Sequence, residues 1–175
     1  MSDPRANERL TALAAVPLVL LLAVEGVTLL FLRPLLSVHE FVGLLLVPPV
    51  ALKLVSTARR FLGYYLGEHA FVLRGPPALP LRALAPVLVL STLLVLGTGI
   101  ALLAVGPPYH GVVLLLHKAS FVVWGPLFGI HVLAYVWRVP RLVAASAVAQ
   151  RVVVGAAVVV GIAGAVAGSL ATDLF

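Results

Sequence analysis

Five runs of about twenty apolar residues, cut by short breaks rich in proline, glycine and arginine, set the limits on what this 175-residue chain can become. The runs cover approximately 10–32, 38–58, 84–105, 112–137 and 150–171. As α-helix, each is long enough to cross a hydrocarbon core of ~30 Å. Lipid cannot satisfy free backbone groups, and none of the runs alternates as the strands of a barrel would. The expectation is an all-α fold, a polytopic transmembrane helix bundle of about five spans in a single integral-membrane domain over residues 1–175. The breaks are Arg33-Pro34, the Arg59 to Arg82 segment with its Gly75-Pro76-Pro77, Gly106-Pro107-Pro108 and Val139-Pro140-Arg141. The first run is too long for the core of a signal peptide and lacks a small-residue cleavage site, so it reads as retained.

Composition removes several function classes. The chain is 62% hydrophobic and 10% charged, which is not the composition of a soluble domain. It has no cysteine, which excludes disulfides, iron–sulfur clusters, thiolate-ligated haem and covalently attached haem. The formal charge of +6 comes from basic residues placed between apolar runs, so it argues for membrane topology and against nucleic acid. Arg5, Arg9, Arg59, Arg60, Arg74, Arg82, Arg138, Arg141 and Arg151 fall on one side, and Arg33 alone lies in a connection on the other. That bias places the N-terminus in the cytoplasm and the C-terminus outside, with the second and fourth spans running in parallel.

His117 and His131 lie fourteen residues apart on LHKASFVVWGPLFGIHVLAYVW. That interval is about 21 Å of helical rise and just under four turns, so both imidazoles share one side of a helix at two depths. His39 and Lys53 repeat the interval on HEFVGLLLVPPVALK. With His39 laid on His117, Lys53 falls on His131, Pro48 on Pro126 and Arg60 on Arg138. Glu40 and Lys118 then share a place with opposite charges. The two segments read as an internal duplication, or as convergence on one geometry.

Ionisable groups inside a membrane are costly and are tolerated mainly where a partner or cofactor meets them. A neutral imidazole is a good ligand for haem iron. A b-type haem between two helices takes one axial ligand from each, at matching depth. His39 with His117 fits an outer haem, and His131 with Lys53 stands where an inner one would sit. The expectation is two haems b per chain, or one if Lys53 does not ligate. Lysine binds iron only as the neutral amine, a form that burial favours. The alternatives for Lys53 are snorkelling to the interface or a haem-propionate contact; His69 replaces it only if the middle loop folds back into the membrane.

The plain alternative for each histidine is a hydrogen-bonded residue at a helix contact. His69 and His110 read as solvated loop residues. Gly43, Gly97, Gly99 and Gly125 suit either close approach of a flat macrocycle or ordinary small-residue packing, and Pro48 and Pro126 can kink their helices. Glu25 lies at a depth similar to Lys118. An ion pair between them is the structural reading, and a proton- or quinol-handling carboxylate the functional one. Tyr64, Tyr65 and Trp137 read as an interfacial aromatic belt.

The paired intervals on SVHEFVGLLLVPPVALKL and LHKASFVVW resemble the dihaem walls of membrane b-type cytochromes, including the cytochrome b561 and respiratory cytochrome b subunits. The strings are also similar to small bacterial, chiefly actinobacterial, membrane proteins near those cytochromes. The similarity covers roughly residues 10–138. It implies a four-helix haem-binding core in a bacterial plasma membrane, electron transfer across the bilayer, and a redox partner protein or a quinone. The chain departs from the dihaem pattern at Lys53 and carries no flavin or nicotinamide fingerprint. It therefore reads as an electron-transfer subunit of an oxidoreductase, incomplete as an enzyme by itself, surrounded by membrane lipid and open to a homo-oligomer or a larger respiratory complex. Two other classes stay open: a non-haem scaffold or assembly subunit, and a small proton-coupled transporter using Glu25, His39, Lys53 and His131. The parallel sense of the duplication counts against the transporter.

Overall fold

The computed structural model describes residues 3–76 and 78–172, and these are almost entirely helical, with no strand among them. The elements are α1 (Pro4–Leu30), α2 (Leu32–Tyr65), α3 (His69–Arg74), α4 (Leu79–Leu102) and α5 (Pro107–Tyr135). A 3-10 turn (Val136–Arg138) leads into α6 (Val139–Ala144), and α7 (Val148–Thr172) completes the order. Five helices are long and apolar enough to cross a membrane: α1, α2, α4, the run Pro107–Ala144 and α7. The all-α, five-span expectation holds, and the chain has the helices of a multi-pass membrane protein.

Helix ends differ from the sequence expectation in a consistent way. Proline in a first turn leaves unmade only a hydrogen bond that the helix lacks there anyway. Pro80 and Pro107 accordingly start α4 and α5, in segments that the sequence reads as breaks, and Pro4 starts α1. Arg33-Pro34 interrupts even less: only Phe31 separates α1 from α2, and a non-helical Leu35 (φ −113°, ψ 17°) completes the reversal. Asp3 caps α1 by accepting a hydrogen bond from the Arg5 amide at 2.9 Å. The middle loop, expected from Arg59 to Arg82, is shorter than that: α2 runs on to Tyr65, α4 begins at Leu79, and α3 lies between them in sequence.

The chain divides into two compact units, Met1–Pro76 with Arg138–Phe175, and Pro77–Trp137. In the first, α1 and α2 form an antiparallel pair and α7 packs against both. Leu10, Leu13, Ala14 and Val154 make its core, with Leu52 and Val143 against them. Two glycines seven residues apart let α7 approach α2 closely. A Cβ on Gly161 would stand 2.6 Å from the Leu45 carbonyl oxygen, and one on Gly168 would collide with the Leu44 side chain.

At the α2 C-terminus, α3 folds back onto the same unit. Phe71 is 2% exposed and lies where a Cβ on Gly63 would meet its ring at 2.7 Å. The Arg59 guanidinium stands over that ring at 4.8 Å and pairs with both Glu68 oxygens at 2.7 and 2.6 Å. At the other end of α3, Arg74 joins Arg60 on Glu8. The second unit is the antiparallel pair α4–α5, in which Ser91 is the one buried residue of either helix.

Candidate functional site

Each predicted ligand residue is best read against its own unit: His39 and Lys53 on α2 in the first, His117 and His131 on α5 in the second. Each expected iron-sharing pair, His39 with His117 and Lys53 with His131, therefore draws one residue from each unit.

His39 is held by α1. Its Nδ1 lies 2.6 Å from Glu25 Oε2 and 3.1 Å from Thr28 Oγ1. The Thr28 hydroxyl donates to Glu25, through the carbonyl at 2.7 Å and the carboxylate at 2.9 Å. With that proton committed, and a carboxylate able only to accept, Nδ1 is the donor toward α1. In the neutral imidazole, the lone pair is then on Nε2. Glu25 is 8% exposed and Thr28 1%, so this contact is made inside the helix pair. A Cβ on Gly43 would lie 3.5 Å from Glu25 Oε1, so the glycine borders the same carboxylate.

His117 is held by α4 in the same manner and with different chemistry. Its Nδ1 lies 3.0 Å from the Val95 carbonyl oxygen and 3.1 Å from Thr98 Oγ1. Thr98 donates back to Leu94 at 2.6 Å, and the carbonyl can only accept. Here too Nδ1–H is the donor and Nε2 carries the lone pair. A Cβ on Gly99 would stand 3.1 Å from His117 Cε1, so glycine is what allows the ring to lie this close to α4.

His131 packs its ring on Tyr135, with centroids 4.9 Å apart. Between the two histidines α5 carries Phe121, Trp124 and Phe128 at alternating intervals of three and four residues, so they continue the same face. Trp124 stacks on Phe128 at 4.6 Å and is oriented by its indole N–H, which donates to Thr92 Oγ1 at 3.0 Å.

Lys53 sits in a polar lattice between α1 and α2. Its Nζ donates to the Thr11 carbonyl at 3.2 Å, Thr11 Oγ1 meets Ser56 Oγ at 2.8 Å, and Ser56 Oγ donates to the Lys53 carbonyl at 2.9 Å. Asn7 Nδ2 donates to the Ser56 carbonyl at 2.8 Å, while its buried Oδ1 has no partner.

The sequence reading expected Lys118 opposite Glu25; within its unit, the partner of Glu25 is His39. The signal was present in the numbering. Glu25 and His39 lie seven residues either side of position 32, and Thr11 and Lys53 lie twenty-one either side of it. Multiples of seven from a tight reversal mark one seam of an antiparallel pair, but reading it requires knowing that the reversal is completed within residues 31–35. Thr28, Thr98 and the Val95 carbonyl were missed as well, and a carbonyl leaves no trace in side-chain pattern. His69 and His110 are exposed, as expected, but they lie at the starts of α3 and α5 and not in loops. No cluster of three or more His, Cys, Asp or Glu suited to a metal ion occurs among the described residues. No protein-family model, curated protein or solved structure matches the chain.

Proposed function

We propose that this chain is a membrane b-type cytochrome subunit that carries electrons across a bacterial plasma membrane, with His39, His117 and His131 as haem-iron ligands. The observation that carries the reading is the common treatment of His39 and His117. Both have Nδ1 tied to the preceding helix at 2.6–3.1 Å, by partners that make it the donor. Iron-ligating histidines are held in this way, because a fixed Nδ1–H sets the tautomer and aims the Nε2 lone pair. The donor set fits a b-type haem, which needs imidazole nitrogens and no thiolate.

The helical register read from the sequence assigns His39 and His117 to an outer haem, and His131 with Lys53 to an inner one. Haem, when bound, supplies a one-electron couple; the chain's own residues supply orientation and a dry surrounding. Glu25 and Thr28 aim one imidazole, and Val95, Thr98 and Gly99 aim another. The Thr11 carbonyl near Lys53 accepts an N–H from either a neutral amine or an ammonium, so it is compatible with ligation. The donor and acceptor are a redox partner protein or a quinone. The arginine bias puts the N-terminus in the cytoplasm and the C-terminus outside.

A reduced-minus-oxidised spectrum of the detergent-purified protein tests the reading through the b-type α-band, and pyridine haemochrome counts the haems. Lys53→Met shifts the spectrum of the inner component, and Lys53→His converts it to a bis-histidine one. A single haem unaffected by either substitution removes Lys53 from the ligand set. Reporter fusions at Gly75 and Phe175 falling on opposite sides of the membrane support the topology. The competing scaffold reading has its own observation: Glu25–His39 and the Lys53 lattice both tie α1 to α2, as a structural subunit requires. Absence of haem from protein made under haem-replete conditions favours it.

A further inference from the structure

The two held imidazoles differ in the charge of what holds them. His117 rests on a neutral carbonyl and a hydroxyl. His39 rests on a carboxylate that is almost wholly removed from solvent. The other paired carboxylates of this unit meet permanent cations, Glu8 with Arg60 and Arg74, and Glu68 with Arg59. Glu25 departs from that pattern, since its ion-pair partner within the unit is an imidazole, which is charged only when protonated. A buried carboxylate with no permanent cation beside it among the described residues of its unit is expensive to keep unless positive charge reaches it by another route.

We infer that Glu25 is a built-in counter-charge for an oxidised haem iron bound at His39, and that it holds the potential of that haem below the value the same ligands would give without it. The inference rests on the haem reading above and deepens it by assigning the residue that sets the potential. Its physics has two parts of the same sign. Ferric iron in a dianionic macrocycle with two neutral imidazoles leaves one net positive charge, which reduction by one electron removes. A fixed negative charge reached through the imidazole stabilises the oxidised form over the reduced one, more strongly between helices than in water. The carboxylate also accepts the Nδ1 proton in a charge-assisted bond, which makes Nε2 a better donor to ferric iron.

The surroundings keep the carboxylate in place. The Thr28 hydroxyl donates to Glu25 Oε2 at 2.9 Å and fixes its rotamer, and Gly43 leaves the other oxygen room. The hydroxyl and carbonyl at His117 Nδ1 carry no net charge.

An equilibrium redox titration of the haem-loaded protein, followed at the α-band, tests the inference. Glu25→Gln keeps the shape and an acceptor oxygen while removing the charge. It is expected to shift the oxidation–reduction equilibrium at least tenfold toward the reduced form, a rise of 59 mV or more for a one-electron couple. The b-type spectrum should persist, and Glu25→Asp should stay nearer to wild type. A haem that is retained with an unchanged potential in Glu25→Gln overturns the inference and leaves the haem reading standing. No haem in the wild-type protein overturns the haem reading itself. If Glu25→Gln does not assemble with haem, Thr28→Val decides, because it releases the carboxylate from its fixed rotamer. A smaller rise in potential supports the counter-charge, and no change overturns it.

Discussion

The α1–α2 and α4–α5 pairs solve one problem with different means. Each presents a histidine from its second helix and holds Nδ1 from its first, with a threonine hydroxyl at 3.1 Å in both cases. Beside the hydroxyl stands a buried carboxylate in the first pair and a backbone carbonyl in the second. The threonines do not correspond in sequence: Thr28 precedes His39 by eleven residues and Thr98 precedes His117 by nineteen. The repeated interval legible in α2 and α5 therefore does not extend to their partners. What the two pairs share is the imidazole geometry, and what separates them is charge. A ring orientation can be reached from several local sequences, whereas a buried negative charge requires a specific residue.

The largest expected effect removes the proposed ligands. His39→Ala and His117→Ala should each abolish a b-type spectral component while circular dichroism shows the helices intact. If only one of the two changes the spectrum, the parallel between the pairs is broken at its base.

Next comes the space around each ring. Gly99→Ala places a Cβ 3.1 Å from His117 Cε1, tighter than ordinary contact. It should cost about 1–3 kcal/mol of overpacking and displace the imidazole, lowering haem occupancy on titration with hemin. Gly43→Ala, whose Cβ meets Glu25 Oε1 at an ordinary 3.5 Å, should leave occupancy close to wild type. Equal effects would mean that glycine plays the same part in both pairs.

A smaller effect belongs to the first pair alone. Asn7→Ala deletes the hydrogen bond to the Ser56 carbonyl and also an acceptor without a partner, two changes of opposite sign. The net loss should be about 1 kcal/mol or less, read as a modest fall in the unfolding midpoint in detergent. A loss well above that would show the whole Lys53 lattice depending on Asn7.

The smallest effect concerns α3, which closes the α1–α2 pair at one end. The Arg59 guanidinium, by hydrogen bonding and then by its charge, holds the Glu68 carboxyl below the usual glutamate range. A depressed folded-state value means the pairing contributes fully above the unfolded glutamate pKa and is lost as pH falls through the folded one. Because both partners are solvated, the contribution is slight. Hydrogen exchange at the Phe71 and Val72 amides, which donate to the Glu68 carbonyl, should accelerate modestly below about pH 4 relative to the intrinsic rate. Arg59→Gln should remove that pH dependence.

The helices were legible in the sequence because length and apolarity decide them without reference to neighbours. Their ends were less so, since Pro80 and Pro107 occupy first turns yet look like punctuation. The ligand-type residues His39, Lys53, His117 and His131 stand out as polar groups in apolar runs, and their intervals follow from helical rise alone. Their partners do not stand out. Glu25 is visible as an isolated charge, but pairing it with His39 depends on the length of one turn. Val95 acts through its backbone, for which the sequence has no symbol. The segment after Tyr65 looked like an open basic loop because its ion pairs, Arg59 with Glu68 and Glu8 with Arg74, join residues whose proximity only the fold creates.

Phe31, the single residue between α1 and α2, bears on how such a chain reaches its membrane. A carboxylate in an inserting helix opposes partition, by about 2.5–3.5 kcal/mol at the helix centre and by less at Glu25, which lies five residues before the end of α1. With one residue joining them, α1 cannot settle in lipid and wait at length for α2, because α2 emerges attached to its end. The short connection favours entry as a hairpin, in which Glu25 would cross the interface facing His39. Lengthening the turn with a flexible insert after Phe31 would uncouple the entries and expose Glu25 to lipid on its own. Failure of such a variant to integrate, and its rescue by Glu25→Gln, would identify the short turn as an aid to biogenesis.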